Sequence, residues 1–299
     1  MNERFIGKKF SQKSLEIIAA AAGICDKYAA AGFRLTLRQL YYQFVAHQPL
    51  TFEWQNTEKN YKRLGSIVND ARLAGEIDWD AIEDRGREVI RNSHWDHPRQ
   101  ILEACSQQFR IDTWEDQPTY CIVMVEKQAL EGVLKPVCRR WDIPFVANKG
   151  YSSASALYRL GKEMGRIREL HGRELHVLYL GDHDPSGIDM TRDVQERLEL
   201  FSRGEVHVSR LALTIDQVEE YEPPPNPAKL TDSRCSGYIS EYGPDCWELD
   251  ALDPDVLVSL VDVAVEELID WEQAGEKIRK QAAWREKLLE VARQSMSWE

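Results

Sequence analysis

Three acids in this 299-residue chain stand where a divalent cation could meet a phosphate. Glu126 directly follows the apolar run YCIVMV, and Asp182 and Asp184 follow the apolar run LHVLYL within GDHDPSGIDM. If the two runs are adjacent strands of a parallel sheet, all three carboxylates lie at strand carboxyl ends, where such sheets collect ligands. Carboxylates a few ångströms apart repel one another, and a hard divalent ion resolves that repulsion. Mg²⁺ suits the pattern: it takes oxygen ligands, keeps several waters, and is held by one or two carboxylates together with substrate phosphates. Pro185 fits a first helical position, Asp184 the N-cap before it, and Gly181 and Gly187 permit close backbone approach. Taken alone, Asp-x-Asp also fits a helix cap beside a turn, with Glu126 an exposed acid opening another helix. The earlier acid, with a βαβ pattern between, shifts the reading to a metal centre. His183 reads as a loop residue, because Mg²⁺ prefers oxygen.

A second candidate lies in the run Arg38-Gln39-Leu40-Tyr41-Tyr42. Arg38 and Tyr42 are four apart and share one helical face. Tyr41 turns toward Leu37 and Phe44 or Val45, as a core aromatic would, and that division leaves Tyr42 free for chemistry. A phenol can attack phosphorus and hold a strand end as phosphotyrosine, with Arg38 and a metal stabilising the developing charge. On composition alone, packing is the commoner fate of such a pair.

The elements that must position these groups fall into two patterns. Residues 12–31 are Ala-rich with helical apolar spacing, and Gly32 follows as a C-cap. Thr36 and Gln39 form a capping box that opens a second helix. Thr57 can cap a third over EKNYKRLGSIVNDARLAG, which carries Lys59, Lys62, Arg63 and Arg72 beside the apolar Leu64, Ile67, Val68 and Ala71. Three short helices, the third basic, suggest a helix-turn-helix, and GEIDWDAIEDRGR could supply a wing. Near residue 118 the pattern changes to short apolar runs at 120–125, 144–147, 175–180 and 206–213, separated by helical stretches. Alternating β and α with apolar strands predicts a parallel sheet covered on both faces. The Pro-rich stretch 220–245 reads as loop, and 255–293 as helix broken near Gly275. The expected division is 1–112, a DNA-binding domain carrying Tyr42; 118–220, the metal-binding domain; and 221–299, a loop and helices that complete it or form a dimer interface.

Net charge is −12, which argues at first against a polyphosphate partner. The average hides an asymmetry: residues 1–75 hold 11 Lys and Arg against 6 Asp and Glu, so phosphate contacts belong to the N-terminal part. Six cysteines occur without a CxxC pair, which predicts reduced thiols and no zinc. The chain has neither an apolar run of membrane-spanning length nor a signal-like N-terminus, so a cytoplasmic location without membrane insertion is expected.

VEKQAL, NKGYSSASAL and YLGDHDPSGIDM, in that order, resemble the Toprim domain of topoisomerases and nucleases, most closely that of the topoisomerase VI A subunit. TLRQLYYQF resembles the catalytic helix of that subunit and of its meiotic double-strand-break relatives. The match spans roughly residues 30–215, and the short chain is most similar to the compact stand-alone "mini-A" proteins of bacteria, phages and mobile elements. The resemblance implies a catabolite-activator-like winged helix followed by a Toprim domain. It makes Glu126, Asp182 and Asp184 the Mg²⁺ acids, Lys127, Lys149 and Gly150 their flanks, Tyr42 the nucleophile and Arg38 its assisting cation. SSAS after Tyr151 departs from the family loop. Implied too is a homodimer on double-stranded DNA, each tyrosine working with its partner's metal to leave 5′-phosphotyrosine ends. No Walker A sequence occurs, so strand passage would need a separate ATPase subunit. Two alternatives stay open: a hydrolytic Toprim nuclease using a metal-bound water, and a DNA-binding module without activity.

Overall fold

The computed structural model describes residues 3–82, 92–148, 153–228 and 231–294. Three helices come first: α1 (Gln12–Ala30), α2 (Leu37–His47) and α3 (Glu58–Ala74). The expected capping box is present, with Thr36 Oγ1 accepting from Gln39 N at 3.3 Å and Gln39 Oε1 accepting from Thr36 N at 2.8 Å. Thr57 caps α3 and Gly75, at φ 78°, ends it in the left-handed conformation. Ile17, Leu35, Leu40, Phe44, Trp54 and Leu64 are buried together between these helices. The expected wing is described only as far as Ile82, which makes a parallel bridge to Leu35; its remainder lies outside the described residues.

Helix α4 (Pro98–Gln108) leads into the α/β part: β1 (Thr119–Val125), α5 (Glu131–Trp141), β2 (Phe145–Ala147), α6 (Ala154–His171), β3 (Glu174–Leu180), α7 (Pro185–Ser202), β4 (His207–Ala212) and α8 (Ile215–Tyr221). The four strands form the expected parallel sheet, in the order β2-β1-β3-β4, each run falling within a residue of its anticipated place. Side chains alternate across it. Val123, Val125, Leu178 and Leu180 pack on one face, in one cluster with Leu134 of α5 and Leu257 and Val261 beyond. Ile122, Met124, Val177 and Tyr179 pack on the other, with Leu157 and Met164 of α6 and Met190 and Val194 of α7.

The final part corrects two expectations. The Pro-rich stretch is not all loop: β5 (Asn226–Pro227) pairs antiparallel with β6 (Asp245–Cys246), and α9 (Cys235–Tyr242) lies between them. The buried Tyr238 anchors that short helix by donating to His183 O at 2.9 Å. Helices α10 (Pro254–Leu268) and α11 (Trp271–Gln294) part at Ile269 and Asp270, not at Gly275. Asp270 supplies the break, its carboxylate accepting from Glu272 N at 2.9 Å while its own N donates to Gln117 Oε1 at 2.7 Å. Gly275 is absorbed inside α11. Helices α4 and α11 pack along each other, a pairing with no local sequence signal. No described helix is long and apolar enough to cross a membrane.

Candidate functional site

Strands β1 and β3 are adjacent and in register to their last residues, Val125 and Leu180, so Glu126 and Asp182 emerge side by side. Glu126 N donates to Leu180 O at 2.9 Å, and Asp182 N donates to Glu126 Oε2 at 3.0 Å. Asp184 caps α7, its Oδ1 accepting from Gly187 N at 2.6 Å and Ser186 Oγ at 2.8 Å. A side chain at Gly187 would strike the Asp182 carbonyl, which is why this turn takes glycine. Asp182 and Asp184 line a cleft of about 370 Å³ together with Arg38, Lys127, Asn226 and Glu248. Glu126 is not among the residues that line it.

A second acid pair, absent from the expected set, closes this centre. His183 and Trp247 exchange backbone hydrogen bonds of 2.8 and 2.9 Å, which brings the segment Trp247-Glu248-Leu249-Asp250 over the end of β3. Leu249 N donates to Asp182 Oδ1 at 2.8 Å. Lys127 Nζ lies 2.8 Å from Asp182 Oδ1, 2.8 Å from Glu248 Oε2 and 3.3 Å from Asp250 Oδ2. Arg38 pairs with Glu248 and places Nε 3.5 Å from Asp250 Oδ2. The Glu-x-Asp of WELDAL repeats the spacing of Asp-x-Asp and was the one available signal for this pair. Arg210 of β4 was also missed. It donates to the carbonyls of Gly181 and Gly187, each at 3.0 Å, and to that of Asp182, pinning the turn that carries both aspartates.

The electrostatics follow from burial and crowding. Burial, with Asp182 next to it, pushes the Glu126 carboxyl up to about 7. Burial raises Asp182 as well, against the pull of Lys127. Glu248 is half-buried, which would raise it, yet Lys127 and Arg38 hold it below its ordinary value. Burial would lower Lys127, but Asp182, Asp250 and Glu248 together raise it. His183 is pushed down to about 4 by burial and by Arg210, and its Nδ1 lies 2.7 Å from Tyr238 Oη. This hydrogen-bonded imidazole packs on Tyr238, Tyr242 and Trp247, in a buried bridge where the sequence suggested a loop.

A hard divalent cation fits these donors. Three carboxylates, Asp182, Glu248 and Asp250, meet Lys127 or Arg38; Asp250 is fully buried, its Oδ2 reached only by the ion pairs at 3.3 and 3.5 Å and its Oδ1 by no hydrogen-bond donor. All available ligand atoms are oxygens, the set that Mg²⁺ takes. They do not form a closed shell. Among the described residues, the group whose ligand atoms all lie within 4.8 Å of one another is Glu174, His176 and His207, at the opposite end of β3 and β4. Its two imidazoles suit borderline metals such as zinc, and the group is remote from the acidic cleft.

Tyr42 is less free than its helical face suggested. Both tyrosines of the pair are 4% exposed. Tyr41 packs edge-on against Tyr61 and is a core residue, as expected. Tyr42 Oη accepts from Asn226 Nδ2 at 3.4 Å, and the Arg38 guanidinium lies 5.9 Å from its ring centre. Burial, reinforced by Glu248, pushes the phenol up to about 12.

Of the basic residues expected to meet DNA, Lys59, Lys62 and Arg63 are exposed on α3. Lys62 pairs with Glu58 at 2.7 Å, and Arg63 lies over Trp54. Arg72 instead turns inward, donating to Ile82 O at 2.9 Å and stacking 4.5 Å from the Trp79 ring centre, which makes it a tie between α3 and the following turn. Lys149, Gly150 and Tyr151 lie outside the described residues.

Fold and site define an α/β protein whose four-stranded parallel sheet carries an acidic, cation-compatible cleft at its strand carboxyl ends. Comparison with protein-family models gives no match to the chain, and comparison with curated proteins gives none either.

Proposed function

We propose that the protein cleaves double-stranded DNA by Mg²⁺-dependent tyrosine transesterification, as a winged-helix and Toprim enzyme similar to the topoisomerase VI A subunit. The observation that carries this reading is Arg38. It shares a helix with Tyr42 and is bound to the same Glu248 that holds Lys127 against Asp182, so the tyrosine helix is docked on the acidic cleft.

In this reading Glu126, Asp182 and Asp184 would hold the cation, with Glu248 and Asp250 adding negative charge. Bound there, Mg²⁺ would supply Lewis-acid stabilisation of charge on the phosphoryl oxygens. Tyr42 Oη attacks phosphorus, one P–O bond replaces another, and the phenolic proton ends on the departing 3′ hydroxyl. Arg38 stabilises charge that develops during the displacement. Lys59, Lys62 and Arg63 bind the duplex backbone, and the working form is a homodimer. An ATPase subunit would be required for strand passage. Incubation with supercoiled plasmid and Mg²⁺, stopped with detergent, tests the reading: DNA released only after protease treatment supports it, and cleavage by Tyr42→Phe sinks it.

One observation favours a second reading. The Tyr42 phenol is buried, protonated at neutral pH and held by Asn226, whereas the cleft itself opens to solvent. A hydrolytic nuclease would need the acids alone, with a metal-bound water as nucleophile. Cleavage that survives Tyr42→Phe but is lost in Asp182→Asn is its signature.

A further inference from the structure

We propose that Glu174, His176 and His207 form a second cation site, for a borderline transition metal of the zinc class, at the end of the sheet opposite the acidic cleft. The inference is independent of the cleavage reading, because the group lies at the far end of β3 from Asp182.

The site grows from a pattern repeated on two neighbouring strands. Glu174-Leu175-His176 opens β3, and Glu205-Val206-His207 leads into β4, each placing an acid two residues before a histidine. Within β3, alternate side chains share a face, so Glu174 stands on the same side as His176. Strands β3 and β4 are parallel, and His176 is the register partner of His207. Partners in register project from the same face of strands about 4.8 Å apart. The two imidazoles accordingly lie side by side, their ring centres 4.9 Å apart. Glu174 Oε2 is 3.5 Å from His176 Nε2, and one ligand atom from each of the three residues lies within 4.8 Å of the others. Glu205 Oε1 is 3.9 Å from His207 Nδ1.

These spacings approach what a zinc ion needs. Ligand atoms around a tetrahedral zinc, with bonds of about 2.0 Å, sit roughly 3.4 Å apart. The Glu174 and His176 pair already meets that distance, and a turn of the exposed His207 ring closes the third position. Two nitrogens and one oxygen suit zinc, whereas Mg²⁺ favours the oxygen donors of the acidic cleft. Burial pushes His176 below its ordinary value, against the pull of Glu174 and with His207 adding to the fall, which favours the neutral imidazole that a metal binds. Among the described residues, no Lys or Arg is ion-paired with Glu174 or Glu205, so the negative charge beside the imidazoles is left for a cation. The lack of a CxxC pair bears only on thiolate sites and does not touch this one. Glu205 would hold the His207 ring from outside, and water would fill the fourth position.

The consequence is structural. Strand β4 is the edge of the sheet, paired with β3 alone, and His207 is its first residue. A bound ion ties the start of that edge strand to its neighbour.

The untagged full chain, stripped of metal with a chelator and returned to a buffer containing excess Mg²⁺, is titrated with zinc by calorimetry. One zinc per chain is expected. Because loss of an outer partner alone weakens metal binding about tenfold or more, His176→Gln and His207→Gln should each weaken it by at least that factor. Zinc should raise the melting temperature of the wild type and not that of His207→Gln. X-ray absorption at the zinc edge of the wild type supplies a readout that needs no variant, and two imidazole ligands are expected. Absence of saturable zinc binding, binding undiminished in both histidine variants, or a shell of oxygens alone would overturn the proposal.

Discussion

Lys127 and Asp182 form a 2.8 Å ion pair at the carboxyl end of the sheet, their side chains 19% and 10% exposed. The same ammonium reaches Glu248 and Asp250, so one cation holds three carboxylates together. Removing one partner of a buried pair leaves uncompensated charge and costs about 3 kcal/mol. Lys127→Met is therefore expected to lose about that much stability in urea unfolding without metal. Mg²⁺ should raise its melting temperature more than that of the wild type, because the cation replaces the missing charge. An equal response of both proteins to Mg²⁺ would separate Lys127 from the cation-binding acids.

Glu126 sets a pH dependence. Its folded-state value, about 7, lies above the ordinary 4.5, so the folded protein binds this proton more tightly than the unfolded chain does. The stability it confers is fully present below about 4.5 and is lost as pH rises through about 7. Metal-free wild type should thus lose stability across that window relative to Glu126→Gln, whose profile lacks this component. Denaturant midpoints of the two proteins at pH 5 and pH 8, in the presence of a chelator, check the sign.

DNA affinity should divide the basic residues of α3 into two kinds. Alanine at Lys59, Lys62 or Arg63 is expected to weaken binding to any duplex and to reduce the salt slope by about 1 for each phosphate left without its cation. Arg72→Ala should mainly lower stability, since Arg72 ties Ile82 and Trp79 to α3. Filter binding across a salt series, paired with thermal melts, separates the effects.

Local capping gives a structural control. Thr36→Ala removes the acceptor for Gln39 N and should cost about 1 kcal/mol, measured by denaturant unfolding. Part of that loss should pass to the site, because Arg38 lies in the first turn of the same helix.

The sheet and its acids were legible because strand and turn signals are local. Apolar runs ending in Glu126 and in Gly181-Asp182 located both strand ends, and Thr36 and Gln39 located α2 within a residue. What escaped depends on pairings distant in sequence. Asp270 breaks the last helix through its bond with Gln117, 153 residues earlier, while the more conspicuous Gly275 is carried inside α11. Glu248 and Asp250 join the centre only because His183 pairs with Trp247 across the chain. Helical spacing placed Arg38 and Tyr42 on one face but could not show that Asn226 would cover the phenol.

The most direct measurement concerns Tyr42 itself. Plasmid cleaved with Mg²⁺ and denatured in detergent should carry protein covalently on its 5′ ends, and mass spectrometry of the nuclease-trimmed peptide should find the phosphate on Tyr42. The adduct should vanish in Tyr42→Phe and in Asp182→Asn. Cleaved DNA with free ends, at an undiminished rate in Tyr42→Phe, would contradict the account.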